Sequence, residues 1–173
     1  MKGRIMQQNE SSVRFGLAVF SGTFDPFTAG HLDLVERARR FCSELRIVVF
    51  DNSSKTPVMP KGERMTLIGR AVEHLDNVTV DTGEGLLADY CILHGVDVII
   101  RGVRNGFQFE EESVMAELNK RLSCGVETIF FPATELRHVS STLVREIARY
   151  GGDLGDLVPP EIKEDIEKTY GSQ

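Results

Sequence analysis

The chain alternates between short, almost continuously apolar runs and longer segments with helical periodicity. The apolar runs lie at residues 15–20, 45–50, 78–80, 96–100 and 127–131. Such runs predict strands that are buried on both faces, because burial of one face alone would give an alternating pattern. Between them, apolar residues recur every three to four positions and predict helices over residues 31–41, 63–75, 85–94 and 109–122.

Strands that alternate with helices predict a parallel sheet with helices on both faces. Right-handed crossovers then give an α/β fold, a Rossmann-like, doubly wound five-stranded parallel sheet. After the last strand, one helix is predicted over residues 140–150 and a final helix begins at Pro159. We expect a single domain over residues 15–173, with these C-terminal helices as an appendage, and a flexible lead-in over residues 1–14.

Composition narrows the class of protein. The 173 residues carry a net charge of −6 and are 41% hydrophobic, which is enough for one well-developed core. An acidic chain disfavours nucleic acid as the main ligand, although a local arginine cluster can still bind a small anion. The three cysteines follow no disulfide or zinc spacing, and no apolar run approaches the length of a membrane span. We expect a cytoplasmic protein that binds neither nucleic acid nor membranes.

Charged and hydroxyl side chains gather in the loops that follow the predicted strands. These loops read S-G-T-F-D-P-F-T-A-G-H after the first strand, D-N-S-S-K after the second, R-G-V-R-N after the fourth, and V-S-S-T-L-V-R beyond the fifth. Ligands of open parallel sheets bind beyond the carboxyl ends of the strands, so the loops predict an anion site at that edge. Neither standard phosphate loop is present, and phosphates must therefore be held by side chains and helix N-termini.

Two of these loops lead into predicted helices. The T-A-G-H turn places His31 at a helix start, where backbone N–H groups and the helix dipole favour an anion. Ser140, Ser141 and Thr142 begin another helix, which their hydroxyls can simply cap. Taken alone, either feature is more often a structural cap than a ligand site.

Together the motifs resemble those of the nucleotidyltransferase superfamily, in which a T-x-G-H turn is paired with a late S-S-T-x-x-R helix start. Within it, S-G-T-F-D-P-F-T-A-G-H, S-S-K-T-P, R-G-V-R and S-S-T-L-V-R-E are similar to the bacterial phosphopantetheine adenylyltransferases, at consistent spacing over nearly the whole domain. The resemblance implies transfer of AMP from ATP to 4′-phosphopantetheine, giving dephospho-coenzyme A and pyrophosphate. It also implies Mg²⁺, carried by the ATP phosphates, and a homohexamer.

The resemblance further implies roles for individual residues. His31, Lys55 and Arg104 are expected to be catalytic, with His31 stabilising the transition state. Thr23, Lys55 and Arg101 are expected to bind phosphopantetheine, whose apolar arm would lie along Leu86 and Leu87. The residues expected to contact ATP are Thr23, Phe24, His31, Gly102, Val103, Arg104, Glu112, Leu136, Arg137, His138, Val139, Ser140, Ser141 and Thr142. None is expected to be a metal ligand.

The expected side chains are those that adenylyl transfer requires. The nucleophile would already be a phosphate oxyanion, so the site must position it and stabilise charge rather than supply a general base. Two other functions stay open: transfer to another acceptor, such as nicotinamide mononucleotide or a glycerol or choline phosphate, and a non-catalytic sensor of nucleotide or coenzyme A. S-S-K-T-P and R-G-V-R favour pantetheine, and His31 with the neighbouring cations favours an enzyme over a sensor.

Overall fold

A computed structural model describes residues 14–51 and 56–171. Its strands are β1 (Phe15–Gly22), β2 (Cys42–Phe50), β3 (Val78–Gly83), β4 (Val98–Val103) and β5 (Glu127–Pro132). Its α-helices are α1 (Ala29–Ala38), α2 (Lys61–Val72), α3 (Leu87–His94), α4 (Gly106–Leu122), α5 (Ser141–Arg149) and α6 (Lys163–Gly171). Apart from Arg14, the predicted lead-in lies outside the described residues.

The strands form one parallel sheet in the order β3-β2-β1-β4-β5, which confirms the predicted doubly wound, Rossmann-like fold. The direction of strand addition reverses between β1 and β4, which pair from Ala18–Val98 to Phe20–Ile100. The loops that follow these two strands therefore run to opposite sides of the sheet. A crevice opens between them at the carboxyl edge, where sheets of this topology bind ligands.

Alternate residues of the central strands face two different cores. Phe20 and Ile47 point to the larger core, which α1, α2, α5 and α6 complete. Val19 and Val48 point to the smaller core, where Tyr90 of α3 covers them. Both faces of these strands are thus buried, and this is why their sequences are continuous apolar runs.

Helix α4 differs from the other described α-helices, because none of its residues is buried. Phe107, Val114, Met115 and Leu122 are each more than half exposed. An exposed apolar surface of this kind is typical of a contact with another protein chain. Neither α4 nor any other helix in the described part of the chain is long and apolar enough to cross a membrane.

Several helix boundaries differ from the sequence-based prediction. Helices α2, α3 and α4 begin at residues 61, 87 and 106 instead of 63, 85 and 109, and α2 ends at residue 72 instead of 75. Two further differences have a clear physical cause. Helix α1 begins at Ala29 instead of residue 31, because Thr28 is the N-cap and its side chain accepts a hydrogen bond from the His31 N–H. The predicted final helix is divided into a 3₁₀ turn, Pro160–Ile162, and α6. The Lys163 N–H donates to Pro160 O, which tightens this first turn to three residues.

Replacement by alanine should have opposite effects at two glycines. A Cβ on Gly69, inside α2, would meet no atom within 4 Å, so Gly69→Ala should stabilise the protein by up to ~1 kcal/mol through higher helix propensity. A Cβ on Gly83 would lie 2.1 Å from the Phe50 ring, and Gly83→Ala should destabilise the protein by ~1–3 kcal/mol. Urea unfolding measures both changes. A lower urea concentration at the unfolding midpoint of Gly69→Ala would contradict the finding that a Cβ at this position meets no other atom.

Candidate active site

A cavity of about 540 Å³, here called the main cavity, opens at the carboxyl edge between β1 and β4. The loops after β1, β4 and β5 line it, together with the first turns of α1 and α5. It brings together most of the residues predicted from the sequence: Thr23, Phe24, His31, Arg101, Gly102, Val103, Arg104, Glu112, Leu136, Val139, Ser140, Ser141 and Thr142.

Apart from Leu86 and Leu87, three predicted residues are not placed in the main cavity. Arg137 and His138 are exposed and do not line it. They occupy the outer part of a turn that the Val139 N–H closes on Leu136 O at 3.0 Å, so only the ends of this turn face the cavity. The third residue, Lys55, lies outside the described residues.

Leu87, the predicted contact for the pantetheine arm, lies in a second cavity of about 360 Å³ that adjoins the main one. Leu86 also lines this second cavity and is 54% exposed, so it is not a core residue. The residues common to both cavities are Ser21, Gly22, Thr23, Arg101 and Glu112. Two ligands that occupied the two cavities would therefore meet at one shared wall.

The His31 imidazole is uncharged at neutral pH. Burial lowers its pKa from about 6.5 to about 4, and the positive charges of Arg104 and Arg101 contribute to the same shift. The Phe24 ring contacts it edge-on, with 5.2 Å between ring centroids. Nδ1 accepts a hydrogen bond from the Thr28 backbone N–H at 3.0 Å and is therefore unprotonated. The proton lies on Nε2, which is the atom left to donate to a ligand.

Arg101 and Glu112 form a bidentate ion pair at the shared wall. Arg101 Nε and Nη2 donate to the two carboxylate oxygens at 2.8 and 2.7 Å, and Nη1 donates to Ser21 O at 2.7 Å. These contacts fix the plane of the guanidinium group. Glu112 was predicted to contact the nucleotide; in the structure its carboxylate holds Arg101, and the nucleotide contact stays a prediction.

Arg104 is held by uncharged groups instead. Its Nε donates to Gln108 Oε1 at 3.3 Å and its Nη1 donates to Val139 O at 3.2 Å. Because these acceptors are neutral, they leave the positive charge available to an anion. Gln108 was missed from the sequence, although its place in the first turn of α4, four residues after Arg104, is the spacing at which it can also accept the Arg104 backbone N–H.

The start of α5 is capped as its sequence suggests. Ser140 Oγ accepts a hydrogen bond from the Leu143 N–H at 3.2 Å, and Ser141 Oγ donates to Pro26 O at 2.8 Å. The capping interpretation is thus confirmed for Ser140. The first turn of a helix also carries N–H groups without partners inside the helix, and here that turn faces the main cavity. Phosphate binding at this helix start stays a prediction.

Sequence reasoning also missed charged residues of the main cavity, among them Arg145 and Asp25. Arg145 Nη1 donates to Asp25 O, and its Nη2 donates to Thr142 Oγ1 at 3.3 Å. The signal for Arg145 was present, because it is the arginine of S-S-T-x-x-R and lies four residues after Ser141 and three after Thr142, on the same face of the helix. The buried contacts of Asp25 join segments far apart in the sequence, and no local pattern reports them.

The main cavity is electropositive although the chain is acidic. Four arginines, Arg37, Arg101, Arg104 and Arg145, line it against two carboxylates, Asp25 and Glu112. Such a cleft concentrates anionic ligands. Among the residues that the structure describes, no group of three or more His, Cys, Asp or Glu side chains is arranged to hold a metal ion. The geometry is suited to binding a polyphosphate and to stabilising negative charge on it.

Comparison with known proteins agrees with this chemistry. Residues 19–147 match the Cytidylyltransferase-like family. The phosphopantetheine adenylyltransferase of Bifidobacterium longum is 44% identical over 146 residues, which cover 83% of this chain and 87% of that protein. The enzyme of the same name from Corynebacterium glutamicum is 43% identical over 158 residues, 90% of this chain and 98% of that protein.

A solved structure supports the fold alone. A Vibrio parahaemolyticus protein assigned as a nicotinate-nucleotide adenylyltransferase superposes with a TM-score of 0.65 over 87% of this chain and 97% of its own. The sequence identity is 15%, so the likeness carries no information on substrate.

The titration of His31 should lie far below that of an ordinary histidine. Since its pKa falls from about 6.5 in the unfolded chain to about 4 in the folded one, the unfolded chain binds a proton in this interval that the folded chain does not. His31 therefore contributes stability that is complete above pH 6.5 and is lost as the pH falls towards 4. Long-range ¹H–¹⁵N NMR should show a neutral ring protonated on Nε2 at neutral pH; an Nδ1–H tautomer or an ordinary midpoint would contradict the assignment.

Proposed function

The chain belongs to the cytidylyltransferase-like family, and we propose that it is a phosphopantetheine adenylyltransferase of coenzyme A biosynthesis. It transfers AMP from ATP to 4′-phosphopantetheine and releases dephospho-coenzyme A and pyrophosphate. Identity above 40% with curated phosphopantetheine adenylyltransferases, over most of both chains, supports this activity. The structural observation that carries it is the pair of adjoining cavities that share Thr23 and Arg101.

Each substrate has a cavity of matching chemistry. ATP takes the main cavity, where Arg104 and the start of α5 offer donors to its phosphates. Phosphopantetheine takes the second cavity, with its apolar arm along Leu86 and Leu87 and its phosphate towards Arg101. The acceptor phosphate then points at the α-phosphate of ATP across the shared wall.

The reaction needs no general base. A phosphate oxygen of the acceptor forms a bond to the α-phosphorus, and the bond from that phosphorus to the oxygen that bridges the β-phosphate breaks. The electron pair leaves with pyrophosphate. Negative charge on the α-phosphate oxygens rearranges during this step, and the Nε2–H of neutral His31 and the guanidinium of Arg104 donate to them. We also propose a role for Lys55, which follows β2 in the sequence, as a further positive charge for the reacting phosphates.

The remaining parts of the proposal concern the ion, the assembly and the location. ATP enters as its magnesium complex, in which the phosphates and water hold the ion. The apolar surface of α4 supports assembly into a homohexamer, because this surface is left uncovered in the single chain. The reaction belongs to the cytoplasm, where ATP is available.

Acceptor choice tests the proposed function. Pyrophosphate release from ATP and Mg²⁺ should be at least about a hundredfold more efficient, in kcat/KM, with 4′-phosphopantetheine than with nicotinamide mononucleotide or choline phosphate, since neither rival has an apolar arm for the second cavity. A preference for either rival would reassign the acceptor. Tight binding of ATP without release of pyrophosphate in the presence of any of these acceptors would identify a sensor.

Removal of the His31 imidazole should affect turnover more than binding. His31→Ala should lower kcat about a hundredfold, ~3 kcal/mol of transition-state stabilisation, with the KM for both substrates within a few-fold of the parent. His74→Ala is the matched control, because His74 lies outside both cavities and its ring is more than half exposed. Equal kcat values for the two variants would remove His31 from the mechanism.

A further inference from the structure

The carboxylate of Asp25 lies at a junction of four segments and is 7% exposed. Its Oδ2 accepts a hydrogen bond from the Val58 N–H at 3.0 Å, and its Oδ1 accepts one from the Met59 N–H at 3.1 Å. The hydroxyl of Tyr170 donates to the same Oδ1 at 2.6 Å. Arg145 Nη1 lies 3.9 Å from Oδ2. Asp25 thus ties the first loop to the segment before α2, to α5 and to α6.

Tyr170 is the distant member of this junction. It lies on α6, 145 residues from Asp25 and beyond the residues 19–147 that match the family. Its side chain is 2% exposed within the larger core, yet the hydroxyl points at a carboxylate instead of at solvent. Burial raises the pKa of this hydroxyl, and the hydrogen bond to Asp25 raises it further, so it stays protonated and donates at neutral pH.

We propose that Tyr170 is a positioning residue for adenylyl transfer, acting through its hydrogen bond to Asp25. The inference rests on the proposed function. Thr56, Pro57 and Val58 line the main cavity, and so does Arg145. Helix α6 does not line the main cavity. Through Asp25, it nevertheless sets the position of two parts of the cavity wall, the segment before α2 and Arg145.

The hydroxyl matters because Asp25 is buried. A buried carboxylate oxygen needs donors, and without Tyr170 the described donor to Oδ1 is the Met59 N–H alone. The carboxylate would then be free to turn towards water or towards Arg145, and it would release the Val58 and Met59 N–H groups. The segment that these groups fix contributes Thr56, Pro57 and Val58 to the wall of the main cavity, and a small displacement of groups that position a substrate lowers the rate steeply.

The experiment compares Tyr170→Phe with Tyr150→Phe. Both remove one hydroxyl from a C-terminal tyrosine, but Tyr150 is 82% exposed and lies outside the main cavity. Tyr170→Phe should lower kcat about tenfold while both KM values stay within about threefold of the parent. Amide hydrogen exchange at Val58 and Met59 should become at least about tenfold faster, and amides of the central strands such as Ile99 should keep their parental rates.

If Tyr170 only packs the core, the same experiment gives a different result. If kcat and the exchange rates of Val58 and Met59 stay within twofold of the parent, the hydroxyl only packs the core and the proposal is overturned, even when the melting temperature falls. A Tyr170→Phe protein that does not fold also overturns it, because the role is then structural. If the parent itself transfers no AMP, the proposed function fails, and the exchange rates alone decide: faster exchange supports positioning, and unchanged exchange overturns it.

Discussion

A buried guanidinium on α2 holds the loops of the carboxyl edge in place. Arg64 is 2% exposed, and its Nε, Nη1 and Nη2 donate to Met59 O at 2.9 Å, Thr23 O at 2.6 Å and Asp51 Oδ1 at 2.5 Å. These acceptors belong to the loop after β1, the end of β2 and the segment before α2. A buried N–H group left without its acceptor costs about 1–3 kcal/mol, so each of the three segments is held to Arg64. The same contact holds the pKa of the Asp51 carboxyl below its usual range.

Rigid loops suit a reaction in which positioning replaces proton transfer. The arginines of the main cavity have two effects. They attract a polyphosphate, and Arg104 and Arg101 add to the burial that lowers the pKa of His31 and keeps its imidazole neutral. A polyphosphate that binds compensates their charge and so reverses part of the shift in the His31 pKa. Nε2 of His31 carries a proton in both the neutral and the charged form of the ring, so it donates in either state. The pKa of His31 rises when the negative charge of the polyphosphate lies beside it. The Thr28 N–H opposes full protonation, since it requires Nδ1 as an acceptor.

The sequence predicted the sheet and the edge where the site lies, because both follow from local signals. Continuous apolar runs fix parallel strands, and parallel strands bring their following loops to one edge. Pair contacts are different. In the sequence, Arg64 occupies a polar position of an amphipathic helix, where an exposed side chain is expected. Its burial becomes visible only in the folded structure, where the loops cover it. The contact between Tyr170 and Asp25 joins residues that are 145 positions apart in the sequence. The exposure of Arg137 depends on which residues of one turn face the cavity and which face solvent.

The shared wall explains why an arginine stands at position 101. A guanidinium has five N–H groups in one plane. Glu112 and Ser21 take three of them, through Nε, Nη2 and Nη1, and the two that remain belong to Nη1 and Nη2. Those two donors form the end of the guanidinium, and one phosphate can accept both. Glu112 therefore fixes the direction in which these two donors point, at the wall common to both cavities. A lysine ammonium has no planar group that Glu112 could hold on one side while the other side binds a ligand. Arg101→Lys would therefore keep the positive charge but lose the fixed orientation of the donors.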